Sequence, residues 1–82
     1  MKQVLYFSAK WCEACNATAP IIDQLKSTDI PVSKIDVDYD VSHVNEYNVK
    51  SVPTTIILEN GNEVRRHSGA LTTNQLNNLI NG

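Results

Sequence analysis

The sequence is poor in the features that would tie it to a membrane, a nucleic acid or a disulfide-stapled secreted scaffold. No stretch approaches the roughly 20 apolar residues that a membrane-crossing helix needs. Seven Lys and Arg against nine Asp and Glu give a formal net charge of −2, so no basic excess favours nucleic acid or an anionic membrane as partner. The N-terminus carries one lysine and then only Val4, Leu5, Tyr6 and Phe7 before polar residues. That is too short for the apolar core of a secretory signal, and a complete, cytoplasmic, monomeric chain is expected. There are only two cysteines, Cys12 and Cys15, and a bridge between them would close a tiny loop that hardly constrains the unfolded chain. They are no structural staple; their spacing suits chemistry or metal.

Three glycines and three prolines are scattered, with no repeat, linker or low-complexity run. At 82 residues the chain is roughly half a typical domain, so residues 1–82 are expected to form one domain. Hydrophobic residues at 41% and charged ones at 20% fit a globular chain. A core this small is marginal, and local signals must agree for the chain to fold.

They largely do. Val4–Phe7 is an uninterrupted apolar run, the mark of a strand buried on both faces. From Cys12 to about Lys26 the apolar spacing is helical, with Cys15, Thr18, Ile22 and Leu25 on one face and a kink expected at Pro20. Residues 30–37 read as a second strand, and 38–47 as a short helix with an acidic first turn. Thr55–Leu58 is a third strand. Asn60-Gly61 follows as a hairpin turn, because both residues accept positive φ. The returning strand, Asn62–Ser68, carries Arg65, Arg66 and His67, charges suited to an exposed sheet edge. Thr72 and Gln75 form a capping box for a last helix, with Leu71 and Leu76 placed as a hydrophobic staple. The order β-α-β-α-β-β-α implies a four-stranded mixed sheet with helices on both faces, the first two strands parallel and the last two a hairpin.

Trp11-Cys12-Glu13-Ala14-Cys15 falls between a buried strand and the start of a helix. C-x-x-C in that context reads as a redox dithiol. Cys12 at a helix N-terminus faces unpaired N–H groups and the positive end of the helix dipole, which favour thiolate over thiol. Cys15, one turn on, can reach the first sulfur while staying shielded. Cys12 can then attack a substrate disulfide and Cys15 can resolve the mixed disulfide. Glu13 brings a negative charge about 7 Å from that thiolate, a repulsion of roughly 0.6 to 1.2 kcal/mol at an effective dielectric of about 40 to 80. Lys10 offsets part of it.

These residues resemble the thioredoxin family. Val4–Cys15 is similar to its active-site strand and turn, Ala19–Asp23 to the segment with the kinking proline, Lys34–Asp38 to its third-strand region, and Tyr47–Thr54 to its cis-proline loop. Asn60-Gly61 and Ser68-Gly69-Ala70 match its hairpin and the turn into its last helix. The resemblance spans essentially all 82 residues, without the family's usual extra N-terminal strand and helix. It implies a thioredoxin-like α/β fold and protein-disulfide oxidoreductase activity, with no bound cofactor beyond the redox-active Cys12–Cys15 disulfide. The electron donor would be thioredoxin reductase or glutathione. The resemblance further implies a cis bond before Pro53, a Val52 backbone that pairs with an extended substrate segment, and Trp11 beside the dithiol as part of the docking surface. Three positions depart from the family pattern. Tyr6 stands where a buried aspartate assists proton transfer at the resolving cysteine; Ser8 replaces a common second tryptophan; the turn reads Glu13-Ala14 rather than Gly-Pro. Lys34, the usual neighbour of that aspartate, remains as a tuning charge, although a lysine in a strand reads equally as solvent-facing.

Two rival functions stand beside this one. A glutathione-coupled glutaredoxin fits the chain's size, but Ser68-Gly69-Ala70-Leu71 stands where glutaredoxins hold glutathione with a Gly-Gly pair and an acidic residue. A non-catalytic thioredoxin-fold docking module is the other. Zinc would need further ligands, and His43 and His67 lack the short spacing of a ligand pair. Asp36, Asp38 and Asp40 alternate like the start of a calcium loop. However, Val41 and Tyr47 stand where its glycine and glutamate belong, so the aspartates read as helix caps.

Overall fold

A computed structural model describes residues 1–82. The central strand β1 (Lys2–Ser8) has four consecutive buried residues, Val4–Phe7, because the sheet is covered on both faces. β2 (Val32–Asp36) pairs parallel to it, from Val4 beside Val32 to Ser8 beside Asp36. On its other side β3 (Thr54–Glu59) pairs antiparallel, and β4 (Asn62–Ser68) closes the sheet in the order β2-β1-β3-β4. Asn60 and Gly61 make the hairpin turn with φ of 53° and 86°. The register slips by one between Ile57 and Leu58, which leaves Val64 as the extra residue of a bulge on the edge strand.

Alternation along the strands sorts the core into two layers. Val4, Tyr6 and Ile57 pack against Ile22, Leu25, Leu76 and Ile80 on the face covered by α1 (Glu13–Asp23) and α3 (Thr73–Asn81). Leu5, Phe7, Ile35, Ile56 and Leu58 pack on the opposite face under α2 (Val41–Glu46), with Val44 and Tyr47 against them. Each fully buried Ile or Phe contributes on the order of 1.5–3 kcal/mol. The expected mixed sheet with helices on both faces is therefore present.

Three boundaries differ from expectation. The helix expected over 12–26 is α1 followed by a separate 3₁₀ turn, Gln24–Ser27. Pro20 lies within α1, and its missing N–H removes the bond to the Asn16 carbonyl. The second helix starts only at Val41 and has no acidic residue in its first turn. Asp36 Oδ1 accepts the Asp38 N–H (2.9 Å) and Asp40 Oδ1 accepts the His43 N–H (3.1 Å). Short acidic side chains bonding nearby backbone compete with the helix and delay its start. Ile30 and Pro31 fall outside β2, although the Pro31 carbonyl still accepts the Val4 N–H (2.9 Å).

The charges of β4 do more than guard an edge. Arg65 donates to the Leu79 carbonyl (2.5 Å) and the Ile80 carbonyl (3.1 Å), and Lys2 Nζ donates to the Ile80 carbonyl (2.6 Å). These cations satisfy the last carbonyls of α3, whose N-terminus carries the full capping box of Thr72 and Gln75. Arg66 forks onto Glu63 and reaches the Tyr47 carbonyl (2.7 Å), tying β4 to the end of α2.

Candidate active site

β1 and β2 run parallel, so the loops after both strands emerge at the same end of the sheet. Trp11 and Cys12 follow β1 there, Val37 and Asp38 follow β2, and the chain crosses as α1 between them. Cys12 is the N-cap of α1, and its Sγ accepts the Cys15 N–H at 3.1 Å. The sulfur thus takes the place of a capping oxygen on one of the orphan donors of the first turn. Cys12 and Cys15 are joined as a disulfide with Cα atoms 5.2 Å apart, and neither is free. Cys12 is 7% and Cys15 2% exposed, both packed with Ala9 and flanked by Val37 and Val52.

Pro53 is buried and follows a cis peptide bond. Its carbonyl accepts the Gly69 N–H at 2.7 Å, where Gly69 sits at a φ of 98°. Val52 lies half-buried beside the disulfide. Trp11 is 68% exposed, and its Nε1 donates to Asp38 Oδ2 at 2.9 Å. Lys10 stands with its Nζ 5.5 Å from the centre of the Tyr39 ring, a cation–π distance. Beside the disulfide, Trp11, Val37, Val44, Val49, Lys50 and Val52 line an open, mainly apolar groove of about 300 Å³. A second hollow of about 350 Å³, between the 3₁₀ turn and β2, includes neither cysteine.

The family model described as Thioredoxin matches residues 1–82. The thioredoxin of Haemophilus influenzae is 35% identical over 81 residues, covering 95% of this chain and 76% of that protein. Thioredoxin 2 of Plasmodium falciparum is 38% identical over 80 residues, covering 94% of this chain and 51% of its own length. A solved structure of a malaria-parasite thioredoxin-2 superposes with a TM-score of 0.90 at 36% identity, over 99% of this chain and 82% of that one. The chain belongs to the thioredoxin family.

As a thioredoxin-family thiol–disulfide oxidoreductase it carries Cys12–Cys15 as its redox-active disulfide. The named relatives are thioredoxins, and the glutaredoxin alternative is not favoured. Disulfide-bearing proteins as substrates and thioredoxin reductase as electron donor follow in general from the family. No helix is long and apolar enough to cross a membrane.

Of the residues singled out from the sequence, Trp11, Cys12, Glu13, Cys15, Val52 and Pro53 come together at this end of the sheet. Lys34 does not. It is half exposed, and its Nζ lies 2.5 Å from Asp23 Oδ1 on α1. That oxygen has no partner of good hydrogen-bond geometry, so the contact is an ion pair rather than an aligned bond. The Lys34 ammonium still holds the Asp23 carboxyl below its ordinary range, outweighing desolvation. Two site residues were not singled out. Asp38 read as a helix cap, yet it anchors Trp11; the parallel β-α-β order, which sends both loops to one end, was the available signal. Tyr6 was noted only for its unusual identity, whereas its hydroxyl donates to the Cys15 carbonyl at 2.7 Å in the buried interior. Burial, and secondarily the charge of Asp23, push the Tyr6 phenol above its ordinary range.

Proposed function

We propose that Cys12 is the attacking thiolate and Cys15 the resolving thiol of this oxidoreductase. The observation that carries the assignment is the capping geometry: Cys12 Sγ sits at the N-terminus of α1 on the Cys15 amide, and Cys12 is the more exposed of the two. A negative sulfur gains from that amide and from the helix dipole; a neutral one gains little. Cys12 S⁻ attacks one sulfur of a substrate disulfide, forming a mixed disulfide and releasing the first substrate thiolate. Cys15 then gives up its proton and attacks the Cys12 sulfur. The second substrate thiolate leaves, and two electrons have passed from the dithiol to the substrate.

Trp11, Val52 and Pro53 form the substrate-binding edge in this reading. An extended segment pairs along the Val52 backbone and places an apolar side chain in the groove between Trp11 and Val49. Glu13 and Lys34 are the tuning charges. Glu13 opposes the thiolate directly, and Lys34 acts through Asp23, whose charge it neutralises. The reduced state is regenerated by a flavin-dependent thioredoxin reductase or by glutathione, with no bound cofactor. Residues 1–82 act as one monomeric domain in the cytoplasm, on protein disulfides rather than on nucleic acid or a membrane.

Mixed-disulfide trapping tests the assignment. Cys15→Ser accumulates a covalent complex with a disulfide-bearing protein that dithiothreitol releases, and Cys12→Ser forms none. The opposite pattern, or no complex with either, refutes it.

A further inference from the structure

Cys15 is held from two sides. Its N–H donates to Cys12 Sγ (3.1 Å), and its carbonyl accepts the Tyr6 hydroxyl (2.7 Å). No other side chain donates to a carbonyl of residues 12–15. Tyr6 itself is 1% exposed and wedged in the layer between the sheet and α1 with Val4, Ile22 and Ile57. Its ring therefore stays where the sheet puts it, and the hydroxyl ties the first turn of α1 to β1 at the residue whose amide faces the Cys12 sulfur.

We infer that Tyr6 is a positioning residue for disulfide exchange: its buried hydroxyl, clamped on the Cys15 carbonyl, holds the Cys15 amide on Cys12 and so favours the Cys12 thiolate. This rests on Cys12 being the attacking sulfur. The effect is differential. The disulfide sulfur is uncharged and gains little from a well-aimed amide, whereas the thiolate gains more, so the hydroxyl stabilises the reduced protein in its charged form. The phenol remains protonated while a thiol titrates, because burial and the Asp23 charge push it upward. It can donate throughout that range. Other charged and titratable groups face this region from each neighbouring element. Glu13 is on α1 beside the cap, and Lys10 is in the preceding loop. Asp38 lies after β2 and is bonded to Trp11. Asp23 and Lys34 form a pair farther along α1. None of them touches the Cys15 carbonyl. Thr55, opposite Tyr6 on β3, is buried with its hydroxyl unpartnered and does not substitute for it.

Tyr6→Phe keeps the ring and removes the hydroxyl. Three readouts are taken from wild type and variant: the thiolate absorbance of the reduced protein against pH, the disulfide equilibrium with a defined thiol buffer on both sides of the thiolate midpoint, and thermal unfolding. The expected result is a thiolate midpoint raised by about 0.2 to 0.7 pH units, the size of a helix-terminus charge effect. Above that midpoint the equilibrium moves about two- to fivefold toward the disulfide, and below it the difference vanishes. A lowered melting temperature with an unchanged midpoint and equilibrium overturns the inference, as does a shift that is the same at every pH. Mixed-disulfide trapping by Cys15→Ser separates the two readings. If it fails, the Cys12 assignment falls. If it succeeds while Tyr6→Phe moves neither redox readout, only the role of Tyr6 falls.

Discussion

Glu13→Gln removes one charge beside the Cys12 thiolate and almost nothing else. Glu13 is the first residue of α1 and its side chain is exposed, so no buried contact is lost. Neighbouring Cα atoms are about 3.8 Å apart and the two side chains diverge from them, which puts the carboxylate about 7 Å from the sulfur. At an effective dielectric of about 40 to 80 that repulsion is roughly 0.6 to 1.2 kcal/mol. Divided by 1.36 kcal/mol per unit, it becomes a fall of about 0.4 to 0.9 units in the Cys12 pKa. The same carboxylate favours the positive end of α1 by about 0.3–1 kcal/mol, so the variant also loses a little stability at neutral pH. Two opposite signs from one substitution distinguish charge from packing. The assay is thiolate absorbance of the reduced protein titrated at about 0.1 M and about 1 M salt, where the screening length falls from ~10 Å to ~3 Å. The shift should shrink at high salt. A midpoint that rises or stays put, or a fall of equal size at both salt concentrations, refutes the electrostatic reading.

Lys34→Met tests the ion pair behind α1. The Asp23 carboxyl is held below its ordinary range by Lys34, so its stabilising effect is present above the unfolded carboxylate pKa of about 3.9 and is lost as pH falls through the lower folded value. Urea unfolding should therefore show the variant weaker than wild type at pH 7 and equal to it by about pH 2; equal weakening at both pH values would assign the effect to the lysine stem. Arg65→Met removes two bonds from the last carbonyls of α3 while Lys2 keeps a third. Discounted for partial exposure, the loss should be about 1 kcal/mol, or about 4–8 °C in melting temperature for a chain of this size. A change within the roughly ±0.5 kcal/mol of an ordinary surface substitution would show that water satisfies those carbonyls equally well.

The elements with strong local grammar were legible. Thr72 and Gln75 have complementary side chains three residues apart, and the capping box forms where they stand. Asn60-Gly61 can occupy positive φ and does. Val4–Phe7 is apolar without alternation because both of its faces are covered. Reading failed where two local preferences competed. Asp36, Asp38 and Asp40 carry helix-cap chemistry, but three alternating acceptors cannot all cap one helix, and only Asp40 does. Likewise Leu25 continues the helical spacing of α1, yet the backbone reaches it through a tighter 3₁₀ turn that keeps it in the same core layer. Periodicity reports which face a residue joins, not the winding that brings it there.

The dithiol was legible for the same reason that its support was not. Cys12 and Cys15 interact over three residues, so their spacing and their place at a helix start contain the chemistry. Trp11 with Asp38 spans 27 positions, and Tyr6 with Cys15 joins a strand to a helix. Both contacts depend on register: Ser8 beside Asp36 sets which loops meet, and Val4 and Tyr6 sharing the α1 face sets which side chain lies under the cysteines. A run buried on both faces erases the alternation that would announce that face. Tyr6 is nevertheless the one residue of Val4–Phe7 with a polar tip, and most buried hydroxyls are paired with an acceptor. Here that acceptor is the Cys15 carbonyl in the first turn of the helix that β1 feeds, so the polar tip of the strand is joined to the turn that carries the chemistry.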